Sequence, residues 1–464
     1  MATVRDFQVN NGLEVNLNAN VVSTLSASDF IQSNPERPYA PTVVFDFSKS
    51  QTLDPRITFI RASNATYTTA NGLIAIAGNN VPRFQFENGQ NQGLLIESQR
   101  TNLYKYSTDI FSATSDQRVS GSYMFYDGSI GIRQVSLGTV ANQDYAQSVY
   151  VKVNTQSDQV IIFDVGDGNA GALNANAATI GQWTRLTNIA RQGVNGDFFD
   201  MRVNNPKIPL VVNQVWYGVS AYFATQNYGI APNGKRESTR ISWTCTDNTL
   251  FDMEIWGFQV EAGSYVTSFI PTTTTSVTRV YDLAYVENAK TVLKLNPVQG
   301  AFLFVGKTYK QHNANTPSYD VGTCGLMLQD ANFGTQNNYF SIVYRDDTIN
   351  QLSITHTSTL PGVFTGTSTG GGSNFLYPNT EVRAVASYQY TSTVKQYSIA
   401  GSSNGVSNTS SAANFITGVS PPFNYLVFGQ NYGFNNRMWH GTIKKVAYYP
   451  RALSNSEVIS LTTI

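Results

Sequence analysis

Alternating apolar and polar residues mark the start of the chain. From Phe7 to Val21 the odd positions are mostly apolar and the even positions polar, which predicts strands with one buried face. Asn10, Asn11 and Gly12 interrupt this pattern and predict a turn between two short strands. A lone hairpin is marginally stable, so its apolar face should pack on another domain of the chain or on another chain.

Short apolar runs separated by Gly and Asn turns continue through the first two thirds of the chain. The clearest predicted strands are Asp144–Val153, Gln159–Val165, Trp183–Ile189, Gln214–Phe223 and Leu250–Val260. Strands of this length at regular spacing are typical of a sandwich or jelly roll. The pattern therefore predicts an all-β protein with an N-terminal β arm and linker (1–41), a jelly-roll domain (42–284) and a second β-sandwich (285–464).

Composition narrows the classes of function. The 464 residues carry 30 basic and 30 acidic side chains and only 13% charged residues, which argues against nucleic-acid binding, because phosphate neutralisation needs a basic surface. Two distant cysteines, Cys245 and Cys324, predict free thiols and folding in a reducing cytoplasm. No signal peptide and no apolar run long enough to insert into a membrane is found in the sequence.

Two segments form a signature. Leu53–Leu103 contains DPRITFIRAS, PRF and GLLIESQRTNL, and Ile255–Arg279 reads IWGFQVEAGSYVTSFIPTTTTSVTR. Both resemble a module of tailed-bacteriophage virion proteins that include head spikes, head fibres and tail fibres. The resemblance implies a component of the virus particle that faces the host surface. It also implies a homo-oligomer, with a trimer as the usual arrangement for fibres, and attachment to other virion proteins through the N-terminal arm.

Weaker resemblances concern the two predicted domains. The order of YAQSVYVKV, GQWTRL and IWGFQVE resembles jelly-roll carbohydrate-binding modules. The segment from Trp439, WHGTIKKVAYYPRALSNSEVISL, resembles the last strand and short helix of concanavalin A-like (laminin-G-like) sandwiches. Ser454 and Glu457 predict a capping box at the start of that helix. Lys444 and Lys445 stand where that family often has acids, so its ligand-site acids are not carried over.

The signature is rich in arginine. The residues Arg56, Arg61, Arg83 and Arg100 recur among apolar positions, with Asp54, Glu87 and Glu97 as candidate partners. They predict structural ion pairs, and a surface for an anionic ligand is the alternative. Asn71 and Gly72, between TYTTA and LIAIA, predict a hairpin with a type I′ turn.

Catalytic motifs are lacking in the sequence. Gly300–Thr308 is similar to a phosphate-binding loop but has an apolar strand between its glycines. Gly401–Gly405 satisfies G-x-S-x-G without the surrounding strand and helix, and predicts a polar hairpin. The three histidines, His312, His356 and His440, are expected at surface or strand positions. Asp252 and Glu254 share one strand face and are the remaining candidates for glycoside cleavage, although solvent-facing structural residues are favoured. The protein is predicted not to be an enzyme.

The types of side chain in two segments predict two candidate binding sites. Aromatic, amide and guanidinium groups suit a sugar, and they occur in Tyr432, Phe434, Asn435, Asn436 and Arg437, with Tyr217 as a further candidate. Closely spaced oxygen donors suit structural calcium and occur in Asp164, Asp167 and Asn169; no other cofactor is expected. Trp439 is expected in the core.

Together these patterns predict a virion fibre or spike protein, assembled in the host cytoplasm, that presents β-sandwiches for binding to a host-surface glycan through many weak contacts. Two alternatives remain open: a capsid decoration or tail-assembly protein without a ligand, and a polysaccharide-degrading tailspike. Binding to nucleic acid and insertion into a membrane are not expected.

Overall fold

A computed structural model describes part of the chain with side chains and part by backbone alone. Side chains are described at 41–105, 107, 145–150, 183–185, 187, 256–263, 265–296, 298–309, 324–326, 328–329, 342, 381–387, 389, 424–430, 438–454 and 456–463; the remaining described strands are described by backbone. These residues form an all-β protein, as the sequence predicts. Among the helices of this described part, none has the length and apolar character to cross a bilayer.

The strands are numbered in chain order. The first nine are β1 (Asp6–Val9), β2 (Leu13–Asn16), β3 (Val43–Asp46), β4 (Thr58–Ile60), β5 (Ala65–Thr68), β6 (Ile74–Ala77), β7 (Phe84–Glu87), β8 (Gln90–Ile96) and β9 (Arg100–Asn102). The next eleven are β10 (Ser122–Tyr126), β11 (Ile130–Val135), β12 (Asp144–Val153), β13 (Val160–Val165), β14 (Ala172–Asn174), β15 (Trp183–Gln192), β16 (Phe198–Arg202), β17 (Ile208–Leu210), β18 (Gly218–Ala221), β19 (Ser238–Thr244) and β20 (Phe251–Ala262).

The remaining strands and both helices lie in the C-terminal part of the chain. Its strands are β21 (Val277–Arg279), β22 (Leu283–Glu287), β23 (Gln299–Thr308), β24 (Thr323–Gln329), β25 (Asn338–Arg345), β26 (Gln351–Ser358), β27 (Gly366–Gly370), β28 (Glu381–Thr391), β29 (Gln396–Ser403), β30 (Val406–Ser410), β31 (Tyr425–Phe428) and β32 (Gly441–Tyr449). Its helices are α1 (Ala289–Val292) and α2 (Asn455–Thr462).

The N-terminal arm contains the predicted pair of strands. β1 and β2 pair antiparallel, with Phe7 opposite Val15 and Val9 opposite Leu13. Their sheet has only these two strands among the described residues. The two short strands are therefore confirmed, and the surface on which their apolar face packs stays a prediction.

The middle of the chain forms a smaller sandwich. One sheet has the order β10-β11-β19-β13-β14, and the other has the order β16-β15-β12-β20-β18 with β17 beside β15. All of these pairs are antiparallel, and β13 contacts β15 between the sheets. All five strands that the sequence analysis placed in this region are confirmed, within a few residues at their ends.

The larger sandwich has sheets of seven and eight strands. Their orders are β27-β26-β25-β24-β31-β22-β4 and β30-β29-β28-β23-β32-β8-β7, with β3 beside β32. Four of these strands, β3, β4, β7 and β8, come from 43–96, although the sequence analysis assigned that segment to the preceding domain. Strand pairing therefore crosses the predicted boundary between 284 and 285. The smaller sandwich is an insertion between two parts of the larger one.

Side chains from both large sheets form the main core. Phe302, Phe304 and Tyr448 of one sheet meet Phe428 of the other, together with the completely buried Trp439. The expectation that Trp439 belongs to the core is confirmed. Apolar burial of this kind provides most of the driving force for folding.

Part of the outer face of the eight-stranded sheet, at β28 to β30, is covered by α2. Val458 and Leu461 of the helix pack on Leu303 and Val385 of the sheet. The helix begins at Ser454, whose side chain accepts a hydrogen bond from the backbone N–H of Glu457, while the Glu457 carboxylate accepts from the Ser454 N–H. The predicted capping box is confirmed, and it fixes where the chain turns onto the sheet.

Motif look-alikes behave as the sequence analysis expected. Gly300–Thr308 lies within β23, in the middle of a sheet, so it is a strand and does not form a phosphate loop. Ser403 of β29 and Val406 of β30 are register partners, so the described residues 401–403 end the first strand of a hairpin. Cys324 is a buried thiol that takes no part in a disulfide.

The hairpin β5–β6 is confirmed, but its predicted turn type is wrong. Gly72 has a positive φ of 76°, whereas Asn71 is absent from the positive-φ residues, and a type I′ turn requires both. The Gly72 N–H donates to the Thr69 carbonyl, and the Thr69 N–H donates to Leu73. This arrangement is a longer loop that places glycine in the left-handed region.

Gly93 is required where β8 meets β32. Its φ is 105°, and a Cβ at this position would lie 2.1 Å from the carbonyl oxygen of Ile443. Gly93→Ala should therefore push the two strands apart and lower the free energy of unfolding by about 1–3 kcal/mol, the range found for overpacked cores. Chemical denaturation measures this loss. Gly78→Ala is the matched control, because a Cβ there meets only Val81 Cγ2 at 4.0 Å, and an equal loss in both variants would contradict the explanation.

Candidate functional site at the joint between the sandwiches

Both signature segments meet where the chain enters and leaves the smaller sandwich. The outgoing chain runs from the end of β8 through β9, and the returning chain runs from β20 through β21 to β22. β9 pairs antiparallel with β21, with Arg100 opposite Arg279 and Asn102 opposite Val277. We call this region the joint.

Five buried charged residues form the centre of the joint, which we call the joint cluster. They are Arg61, Arg83, Glu97, Arg279 and Asp282, and none is more than 3% exposed. Asp282 accepts from Arg61 Nη1 at 3.1 Å and from Arg83 Nη2 at 2.5 Å. Glu97 Oε2 lies 2.8 Å from Arg83 Nη1 and 3.4 Å from Arg279 Nη1. Apart from Arg83–Glu97, these pairs connect residues more than 180 positions apart in the sequence.

Backbone groups complete the pairing around the acids. Asp282 also accepts a hydrogen bond from the backbone N–H of Glu97, at 2.9 Å. Both the N–H and the hydroxyl of Ser268 donate to Glu97, at 2.6 Å each. Hydrogen bonds from donors of fixed geometry stabilise the charged form of these buried carboxylates.

The Glu97 carboxyl has a perturbed acidity. Burial acts to raise its pKa, but the charges of Arg279 and Arg83 and the two hydrogen bonds from Ser268 outweigh burial and lower the pKa to about 2. Glu97 is therefore ionised over the whole physiological range. Its charge is a permanent part of the folded state.

Amide and hydroxyl side chains fix the returning loop 262–272 against the outgoing chain. Asn102 Nδ2 donates to the carbonyls of Phe258 and Ile270, at 3.1 and 2.8 Å. Gln259 Oε1 accepts from the Ile270 N–H at 2.6 Å, and Thr272 Oγ1 donates to the Tyr104 carbonyl at 2.6 Å. These bonds pair backbone groups that would otherwise be buried without partners.

A second polar network lies beside the cluster. The Tyr265 hydroxyl and His440 Nε2 are 2.8 Å apart, and the Ser98 N–H donates to His440 Nδ1 at 3.4 Å. Arg100 donates to the Tyr265 hydroxyl and lies over its ring. His440 is 3% exposed and directly precedes β32, so it lies at the edge of the expected strand and not at the surface.

This network lacks the arrangement needed for nucleophilic catalysis. A nucleophile and its base must be within hydrogen-bond reach of one another. The Ser98 hydroxyl instead lies 3.3 Å from the Tyr265 hydroxyl, and it is the backbone N–H of Ser98 that contacts His440. Ser98 is also completely buried. The geometry holds the two sandwiches together and offers no access to a substrate.

These contacts decide whether the signature arginines form structural ion pairs or a surface for an anionic ligand. Arg61 and Arg83 are completely enclosed, so they are structural ion pairs and not a surface for an anionic ligand. Arg56 pairs with Asp54 at 2.7 Å, as predicted. Glu87 was expected to partner an arginine but pairs with Lys307 at 2.5 Å. Sequence reasoning missed Asp282, which lies just beyond the signature and carries no motif of its own.

The sequence-predicted binding residues lie outside the described side chains. This applies to Tyr432, Phe434, Asn435, Asn436, Arg437 and Tyr217, and also to Asp167 and Asn169. Asp164, Asp252 and Glu254 are described by backbone, on β13 and β20. The sugar and calcium sites therefore stay predictions. Within the described residues, no group of three or more His, Cys, Asp or Glu side chains could hold a metal ion.

Comparison with known proteins gives no family for the chain. No family model and no curated protein sequence matches it. Among solved structures, the carbohydrate-binding module of the Ruminococcus gnavus IT-sialidase bound to alpha2,3 sialyllactose is 16% identical over 38% of this chain and 86% of that one, with a TM-score of 0.28.

Two further solved structures are similarly distant. The NanB sialidase of Streptococcus pneumoniae is 18% identical over 39% of this chain and 26% of its own, with a TM-score of 0.30. Domain 4 of the Geobacillus stearothermophilus arabinanase AbnA, in complex with arabinotriose, is 15% identical over 43% and 82%, with a TM-score of 0.28. Likeness at this level carries no argument about what the chain binds.

Proposed function

We propose that this chain is a structural subunit of a tailed-bacteriophage virion, a fibre or spike that presents two β-sandwiches for binding to a glycan on the host surface. The N-terminal arm attaches the subunit to other virion proteins and to sister chains. The protein acts by binding and not by catalysis.

One observation carries the proposal. The residues of the signature, which resemble those of phage virion proteins, are the residues that build the joint between the sandwiches. Arg61, Arg83, Glu97 and Arg279 all belong to the signature, and they meet in one buried cluster. The resemblance therefore covers a folded unit and not a set of scattered surface residues. A joint fixed by buried ion pairs suits a protein that projects binding domains from a particle.

The arm supports attachment. The β1–β2 hairpin is marginal alone and forms its own two-stranded sheet among the described residues. A hairpin of this kind gains stability when its apolar face is covered by another protein. Repeated copies on one particle would then multiply weak glycan contacts into firm adsorption.

The test is immunogold electron microscopy of intact virions with an antibody to residues 285–464, combined with glycan binding by the purified chain. Label on tails or projecting fibres, together with binding to bacterial surface polysaccharide, is the expected result. Even label over the capsid with no glycan bound would replace this function by capsid decoration. Particles without label would refute the virion assignment.

A further inference from the structure

The two outer faces of the larger sandwich differ. Part of the eight-stranded sheet is covered by α2. The seven-stranded sheet instead presents the alternate residues of β22 on its outer side, where Tyr285 is half-buried and Glu287 is exposed. The intervening residues Ala284 and Val286 belong to the main core. This alternation defines an outward-facing surface on β22 and its neighbours.

Tyrosine rings dominate this surface. Tyr281, Tyr285 and Tyr425 are partly buried and pack on a small apolar cluster of Leu283, Cys324 and Val427. The rings of Tyr285 and Tyr425 are 5.8 Å apart at an interplanar angle of 68°. We call the three residues the tyrosine platform. The small apolar cluster supports the rings from below and holds them at the surface of the sheet.

Two polar groups lie in the same row of the sheet as Tyr425. Its register partners are Glu287 on β22 and Gln329 on β24. The Tyr425 hydroxyl donates a long hydrogen bond, 3.5 Å, to Glu287 Oε1. Gln329 is 3% exposed, and its Nε2 has no hydrogen-bond partner within the described structure. A buried amide donor without an acceptor is destabilising, so a ligand that supplies the acceptor binds more tightly.

We propose that the tyrosine platform binds a neutral glycan. One sugar ring packs on Tyr285 and Tyr425, a small rotation of the half-exposed Tyr425 ring opens Gln329 Nε2 to a sugar oxygen, and Glu287 accepts a sugar hydroxyl. The charged member of the row is an acid, which would repel a uronate or sialate carboxylate. This chemistry therefore favours neutral sugars over acidic ones. The inference rests on the proposed glycan-binding function and assigns it a site.

The platform is separate from the site predicted from sequence. Tyr425 is the first residue of β31, and Tyr281 and Tyr285 lie before and on β22, so the platform shares no residue with the predicted site that contains Tyr432 and Arg437. The two sites can therefore be varied independently.

The experiment uses the purified full chain on an array of bacterial capsular polysaccharides and lipopolysaccharide O-chains, sorted into neutral and acidic members. The wild-type chain should bind neutral members. Tyr425→Ala should weaken that binding about tenfold or more, the loss found when a central aromatic contact is removed. Gln329→Leu should weaken it similarly while its melting temperature stays the same or rises, because the unpaired donor is removed with little change of volume.

The control is Tyr67→Ala, a partly buried tyrosine of β5 outside both sites, which should bind as the wild type does. Tyr432→Ala tests the sequence-predicted loop instead. Loss in Tyr432→Ala with full binding by Tyr425→Ala and Gln329→Leu would overturn the platform while the glycan-binding function stands. Binding restricted to acidic members would overturn the ligand class. A wild-type chain that binds no member would remove the glycan-binding function and the platform together. A folded Gln329→Leu keeps the test valid if Tyr425→Ala does not fold.

Discussion

Replacing Asp282 by alanine is expected to lower the free energy of unfolding by about 3–5 kcal/mol, the cost of removing one partner from a buried ion pair. The Asp282 carboxylate accepts from Arg61, Arg83 and the backbone of Glu97. Its removal leaves two completely buried guanidinium groups with one fewer acid between them. The joint contains the two segments by which the chain enters and leaves the smaller sandwich. The loss of stability should therefore affect the cooperative unfolding of both sandwiches.

Urea denaturation followed by tryptophan fluorescence measures this change. The matched control is Arg56→Ala, which breaks the ion pair with Asp54 at the protein surface and should cost less than about 1 kcal/mol. Asp282→Asn keeps the shape of the side chain and should fall between the two. If Asp282→Ala were no less stable than Arg56→Ala, the joint cluster would not be what holds the sandwiches together.

Acid should weaken the same joint through Glu97. The pKa of this carboxyl is lowered from its ordinary value of 4.5 to about 2 in the folded state. A group with a depressed pKa contributes stability that is fully present above pH 4.5 and is lost as the pH falls through about 2. The depression corresponds to roughly 3 kcal/mol. We therefore expect the free energy of unfolding to fall by about that amount between these two values of pH, beyond the loss from other carboxylates.

Denaturation at a series of pH values, compared between the wild type and Glu97→Gln, isolates this contribution. The variant should be less stable near pH 7 and should lose less stability on acidification, so the two curves approach one another near pH 2. In Arg56→Ala, the free energy of unfolding should fall with acid about as steeply as in the wild type. A small difference is expected because the pKa of Asp54 is lowered chiefly by its hydrogen bond with Arg56, which this variant lacks. Parallel curves for the wild type and Glu97→Gln would contradict the assignment.

Local features were predicted well from the sequence, because each depends on neighbours along the chain. Short strand-like runs between Gly and Asn turns predicted the strands from Asp144–Val153 to Leu250–Val260, and the Ser454 capping box was recognised from four consecutive residues. The β5–β6 hairpin was also predicted, but not its turn: an Asn-Gly pair permits a type I′ turn, while the actual loop depends on how β5 and β6 pack on their surroundings.

Partners distant in sequence were not predicted. Asp282 pairs with Arg61 across 221 positions, and nothing near Asp282 distinguishes it from a surface acid. The position of β3 and β8 beside β32 was missed for the same reason. Alternation shows that a strand has a buried face, but it does not identify the sheet that covers it. The tyrosine platform likewise joins β22, β24 and β31, whose residues become neighbours only in the sheet.

The sequence by itself determined the all-β class, most of the strands in the smaller sandwich and the importance of the signature arginines, since backbone propensity, periodicity and charge are properties of short segments. Only the tertiary structure decided that the smaller sandwich is inserted into the larger one, that the signature builds a buried joint, and that Tyr285, Tyr425 and Gln329 share one surface. Burial and hydrogen-bond geometry arise from contacts between distant segments, and these contacts exist only once the sheets have formed.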